Sequence, residues 1–210
     1  MLTAALSLLV TASALLAVRA EYGGTRRRVY IFKPLTLVLI IFIALQTKSG
    51  APGLYKSLVV AGLLFSLAGD VFLMLPRDRF VGGLVSFLVA HVFYIAAFTV
   101  EGGRVPPAWA GVLLSVYGGL MLRSLWPRLG RLRGPVVVYV AVILLMAWQA
   151  AGRWLGAGPA GSGLAAAGAL LFVASDSLLA WNRFKGGFRS APALVLGTYF
   201  AAQWLIALST

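Results

Sequence analysis

Eight times between residues 2 and 208 the chain runs apolar for a length approaching the roughly 20 residues that a helix needs to cross a bilayer. The apolar residues come in blocks and do not alternate with polar ones. Inside hydrocarbon no water is present to hydrogen-bond the backbone, so each block is expected to satisfy its own N–H and C=O groups as a helix. Composition agrees with this, because 61% of residues are hydrophobic and 11% are charged, against about 25% charged in soluble domains. The expected fold is an all-α integral membrane protein, a single bundle of eight transmembrane helices occupying residues 1–210.

The spans read as Leu2–Val18, Ile31–Leu45, Leu58–Leu75, Phe80–Val100, Ala108–Leu122, Pro135–Ala150, Gly163–Trp181 and Ala191–Leu208. Helix breakers separate them: Gly23–Gly24, Gly50 with Pro52–Gly53, Pro76, Gly102–Gly103 with Pro106–Pro107, Pro127, and the glycines from Gly156 to Gly163. Fourteen of the eighteen Lys and Arg residues fall at alternate connections: Arg19, Arg26, Arg27, Arg28, Lys33, Arg77, Arg79, Arg123, Arg128, Arg131, Arg133, Arg183, Lys185 and Arg189. The other four are Lys48, Lys56, Arg104 and Arg153. By the positive-inside rule this predicts a multi-pass cell-membrane protein with Arg-rich loops in the cytoplasm and both termini outside. No Lys or Arg precedes the first span and Arg19 follows it, which predicts a retained helix and not a cleaved signal peptide.

The formal net charge of +13 is thereby explained by topology and anionic lipid, with no continuous basic face for nucleic acid. The absence of cysteine excludes disulfides, thiol catalysis and thiolate metal sites. Trp109, Trp126, Trp148, Trp154 and Trp181 near span ends read as interfacial anchors. Gly62, Gly118, Gly119 and the Ala/Gly-rich start of span seven point to closely packed helices. An internal echo sets AGLLFSLAGDVFLMLPR (61–77) over AGALLFVASDSLLAWNR (167–183), aligning Asp70 with Asp176 and Arg77 with Arg183. Both segments run in the same direction, so a duplication would be a parallel repeat of four helices plus four.

Of five acidic residues, two lie inside spans, Asp70 and Asp176. Each stands about five residues from the predicted cytoplasmic end, ~7–8 Å deep. A charge in the bilayer costs ~2.5–3.5 kcal/mol on insertion scales, so both are expected to face the bundle interior and to be functional. His91, the single histidine, shares a face of span four with Phe87 and Tyr94, and Tyr199 shares one with Gln203 in span eight. Tyr139 and Lys33 sit near the level of the aspartates. Other readings stand beside these. Lys33 fits a snorkelling cation, His91 a hydrogen-bonded packing residue, and Tyr139, Tyr199 and Gln203 cross-helix hydrogen bonds.

Taken in order, these residues form a pattern: Lys33-Pro34, Gly69-Asp70, FVGGLVSFLVAHVFY with Phe80, Gly83, Phe87, His91 and Tyr94, then Tyr139, Ser175-Asp176 in GALLFVASDSLLAWNRF, and Tyr199 with Gln203 in YFAAQWLI. From about residue 30 to the C-terminus it resembles the YhhN-like lysoplasmalogenase family of eight-span proteins. The resemblance implies hydrolysis of the vinyl-ether bond of a lysoplasmalogen, giving a fatty aldehyde and glycerophospho-ethanolamine or -choline, with a lysophospholipid as partner, no cofactor and no metal. Protonation of the vinyl β-carbon generates an oxocarbenium ion that water traps. Paired carboxylates serve an oxocarbenium-like transition state in glycoside hydrolysis. On this basis Asp70 and Asp176 are expected as acid and base, in either assignment. His91 is expected to orient water or relay a proton, and Lys33 to meet the substrate phosphate. Tyr94, Tyr139, Tyr199 and Gln203 are expected to line the substrate site.

Two rivals accompany this reading. A metal hydrolase could use Asp, Asp and His, although intramembrane zinc hydrolases usually bring several histidines. A small-molecule or proton-coupled transporter would also suit buried carboxylates and parallel repeats.

Overall fold

The computed structural model describes residues 1–47, 53–76, 79–100, 106–156 and 158–210. Lys48, Arg77 and Arg104, with the expected breakers Gly50, Pro52, Gly102 and Gly103, lie outside these residues. The described residues form eight α-helices and no strand: α1 (Leu2–Tyr22), α2 (Arg26–Gln46), α3 (Gly53–Met74), α4 (Phe80–Thr99), α5 (Ala108–Leu129), α6 (Arg133–Leu155), α7 (Ser162–Phe184) and α8 (Ala191–Leu208). Seven helical stretches are long and apolar enough to cross a membrane. The longest, Ala108–Leu155, is 48 residues and contains both α5 and α6.

Those two helices fold back on each other. Gly130, at φ +51°, and the 3₁₀ turn Gly130–Leu132 reverse the chain, a backbone region that glycine enters without a Cβ clash. Gly111 then faces Trp148 and Gly118 faces Leu144, so α5 and α6 run antiparallel. Trp148 donates its indole N–H to the Pro107 carbonyl at 3.0 Å, which makes it a clasp between the two helices as well as an aromatic residue near a span end. Pro127 does not break the chain as its position suggested. It lies inside the last turns of α5, where it lacks the N–H that would bond the Arg123 carbonyl, yet the helix continues and the reversal comes three residues later at Gly130.

Several helices overrun their apolar runs at the arginine-rich ends. α1 continues to Tyr22, α2 already begins at Arg26, and α5 extends past Leu122 to Leu129. Long cationic side chains carry their charge outward while their stems pack, so helix geometry persists beyond the hydrocarbon run. Lys33 is therefore well inside α2, and Pro34 sits in the helix interior.

Burial is turned outward, as a lipid solvent demands. Leu8, Leu15, Phe42, Leu113 and Leu120 are each more than half exposed, while Asp70, His91 and Gln203 are buried. The core lies among α2, α3, α4, α6, α7 and α8, with α1 packed on α2 and α8, and α5 on α6 and α7. Small residues set two tight pairs. Gly62 of α3 takes the Tyr94 ring of α4, and Gly168 of α7 takes the backbone of Ala202 and Ile206 of α8. Gly119, by contrast, meets nothing and makes no close approach.

A Cβ on Gly168 would stand 2.8 Å from the Ala202 carbonyl oxygen, a backbone atom that cannot rotate aside. Gly168→Ala should therefore lower stability by ~1–3 kcal/mol, read by thermal unfolding in detergent. Gly197→Ala, with open space around it, should be neutral or slightly stabilising through helix propensity.

Candidate active site

The eight residues singled out in the sequence separate into three hydrogen-bonded groups joined by aromatic rings. In the first, Lys33 of α2 places its Nζ 3.0 Å from Asp70 Oδ1 on α3, and the Tyr199 hydroxyl of α8 donates to Asp70 Oδ2 at 2.8 Å. Asp70 is 1% exposed, so both carboxylate oxygens are matched inside the protein. Three helices are pinned at one point. A buried charge pair of this kind is supported only when further hydrogen bonds satisfy it, and Tyr199 provides one.

In the second group the Tyr139 hydroxyl of α6 donates to Asp176 Oδ2 on α7. Asp176 is only half-buried. With Tyr139, Tyr117 and Ser177 it lines a cleft between α4, α5, α6 and α7 whose walls are otherwise apolar, among them Leu84, Phe87, Met121, Val140, Ile143 and Val173. The cleft is partly open to the surroundings and has a cavity volume of about 70 Å³. In the third group the Tyr94 hydroxyl of α4 donates to Gln203 Oε1 of α8 at 2.7 Å, bracing these helices behind Asp70.

His91 connects the groups through its ring. Its centroid lies 5.3 Å from Tyr139 and 4.7 Å from Phe172, and Phe172 lies 5.5 Å from Tyr199. The contacts at His91 and Phe172 are edge-on, the geometry favoured by ring quadrupoles. A continuous path of packed groups thus runs from Asp70 through Tyr199, Phe172, His91 and Tyr139 to Asp176. Neither His91 nitrogen has a hydrogen-bond partner among the described residues. The two carboxylates do not share a hydrogen bond, and Asp176 alone of the pair lines the cleft.

Phe172 and Tyr117 belong to the site and were not singled out from the sequence. Phe172 stands four residues before Asp176, one turn away on the same face, a spacing that could have revealed it. Tyr117 lines the cleft and donates to Ser177 Oγ at 2.6 Å. Its only signal was being the one tyrosine in the fifth span. Among the described residues no three His, Cys, Asp or Glu side chains converge.

Comparison with known proteins shows the family of the chain. The YhhN family model matches residues 29–210. This chain belongs to the YhhN family. A relative in Escherichia coli, named "Uncharacterized membrane protein YhhN", is 33% identical over 198 residues, covering 94% of each chain. Two human relatives carry an activity in their names. "Lysoplasmalogenase TMEM86A" is 41% identical over 157 residues, 72% of this chain and 64% of that one. "Lysoplasmalogenase TMEM86B" is 34% identical over 179 residues, 82% of this chain and 70% of that one. No solved structure matches. Membership explains why the chain is a helical membrane protein, and the site geometry supplies what a family name does not.

The Lys33–Asp70 pair yields a direct expectation. Lys33→Met or Asp70→Asn alone leaves one buried group without its partner and should destabilise the protein by ~3–5 kcal/mol. The double variant should lose distinctly less than the sum of the two, measured as a double-mutant cycle by detergent unfolding.

Proposed function

We propose that this YhhN-family protein is an intramembrane lysoplasmalogenase in which Asp176 performs the proton transfers. The observation that carries this reading is the position of Asp176, a carboxyl held by Tyr139 in the wall of a cleft that is mostly apolar. A lysoplasmalogen needs a long apolar slot for its alkenyl chain and one acid beside its vinyl ether. The two human relatives at 41% and 34% identity are named lysoplasmalogenases.

The reaction is written on the residues as follows. Protonated Asp176 gives its proton to the β-carbon of the vinyl ether, and the ether oxygen's lone pair forms the oxocarbenium ion. The Asp176 carboxylate left behind faces that cation and takes a proton from the water that adds to it. A proton then passes to the glycerol oxygen as the hemiacetal collapses, so that one water is consumed and aldehyde and alcohol are released. Tyr139 orients the Asp176 carboxyl. Asp70, ionised against Lys33, adds fixed negative charge beyond the aromatic path, and such preorganised charge favours a developing cation. His91 orients the attacking water beside Tyr139. Tyr94, Tyr199 and Gln203 hold the back wall.

The architecture proposed with this reaction has eight spans, α5 and α6 each crossing, with both termini outside and the arginine-rich ends in the cytoplasm. An internal duplication of four helices plus four is part of it. In its support, α4 packs on α6 as α8 packs on α2, and each aspartate is bonded from the preceding even helix, by Lys33 and by Tyr139. The halves differ at their first helices. α1 lies against α8, whereas α5 makes no comparable contact with α4, and the cleft lies between those two helices.

The test is mass-spectrometric detection of fatty aldehyde from a lysoplasmalogen incubated with the purified protein. Asp176→Asn should reduce aldehyde release by ~10²–10⁴-fold in protein that still unfolds cooperatively, and a saturated-ether analogue should yield none. Near-normal release from folded Asp176→Asn would sink the assignment.

A further inference from the structure

We infer that Tyr117 and Ser177 form a hydroxyl-reading subsite of the cleft, which selects a lipid whose middle glycerol carbon carries a free hydroxyl. This deepens the lysoplasmalogenase reading and rests on it. Among the described residues, the polar side chains lining the cleft are Asp176, Tyr139, Tyr117 and Ser177. Lys33, the cation expected from the sequence to meet the substrate, is buried and ion-paired with Asp70 and is not among them.

The hydroxyl protons of this lining are already committed. Tyr139 donates to Asp176 Oδ2, Tyr117 donates to Ser177 Oγ at 2.6 Å, and Ser177 donates to the Val173 carbonyl at 2.7 Å. The relay from α5 to α7 therefore ends on a backbone oxygen with no proton to spare. A hydroxyl oxygen also accepts through its lone pairs, and among the described residues no donor reaches the Tyr117 oxygen. The pair thus offers a ligand acceptors only. A ligand hydroxyl satisfies it, whereas an ether or ester oxygen would set lone pair against lone pair at a desolvation cost.

The position matches the lipid. Ser177 directly follows Asp176 on α7, with Cα atoms about 3.8 Å apart, and both side chains line the cleft. In a lysoplasmalogen the free hydroxyl and the vinyl ether stand on neighbouring glycerol carbons. One glycerol unit can therefore meet Tyr117 and Ser177 while its vinyl ether lies at Asp176. Gly118 keeps the reader in place, because its missing Cβ admits Leu144 of α6 and brings α5 close enough for Tyr117 to bridge to α7. Acylation of the middle glycerol oxygen removes the one proton it can give, which turns the subsite against a two-chain lipid.

The experiment measures binding of two unhydrolysable probes to the full-length protein in nanodiscs. One is a saturated-ether lysophosphoethanolamine with the free glycerol hydroxyl, and the other carries a methoxy group in its place. The parent protein should bind the hydroxyl probe ~three- to tenfold more tightly, the size of one net hydrogen bond. Tyr117→Phe should narrow that gap by weakening the hydroxyl probe. Ser177→Ala should narrow it from the other side, because the freed Tyr117 proton can then donate to the methoxy oxygen. A gap absent from the parent, or surviving either substitution, overturns the subsite. So do equal changes for both probes, the result of a bond that only packs α5 on α7, and failure of the parent to bind the hydroxyl probe. Aldehyde release from the vinyl ether is assayed in parallel. Its absence with the binding gap intact would remove the reaction and leave the subsite standing.

Discussion

A polar group inside a bilayer has no water to turn to, and the arrangement of this protein follows from that constraint. Asp70 shows it best. Its two oxygens are matched by Lys33 from α2 and Tyr199 from α8, so one carboxylate holds three helices at a common depth. Neutralising the cost of that charge requires partners on different elements, and those partners in turn set which faces of α2 and α8 point inward. Tyr94 and Gln203 extend the same bracing one turn further along α4 and α8.

Around this fixed half the second carboxylate is treated differently. Among the described residues Asp176 has one side-chain donor, Tyr139, and it stands in the wall of the cleft. Two similar side chains are thus placed differently: one is matched on both oxygens in the core, the other is held by Tyr139 in the cleft wall. The aromatic path through Phe172 and His91 keeps them mechanically connected without a shared hydrogen bond. The cleft itself lies where α5 leans on α6 and α7 without a comparable contact to α4, so its width depends on a helix at the edge of the bundle.

Much of this was legible in the chain. Hydrocarbon imposes so strong a filter on apolar length that the all-helical membrane class was evident from run lengths alone, and nine of the sequence-derived span starts or ends coincide with helix ends to within a residue: Leu2, Leu45, Leu75, Phe80, Val100, Ala108, Gly163, Ala191 and Leu208. The overruns at α1, α2 and α5 were not legible, because arginine ends an apolar run without ending a helix. Pro127 misled as well, since α5 continues past it to Leu129 although proline lacks the N–H for the i→i−4 bond.

At the site, sequence identified the intramembrane polar residues, because each is rare in an apolar background and costly to leave facing lipid. Asp70, Asp176, His91, Tyr94, Tyr139, Tyr199 and Gln203 were all visible for that reason. Pairing was not visible. That Lys33 belongs to Asp70, that Tyr139 belongs to Asp176, and that Asp176 alone of the two carboxylates lines the cleft are decided by helix rotation and by which helices touch. Those depend on packing between elements far apart in the chain, such as Tyr199 against Asp70 across 129 residues. Local periodicity carries no information about such contacts, so only the tertiary structure could make them.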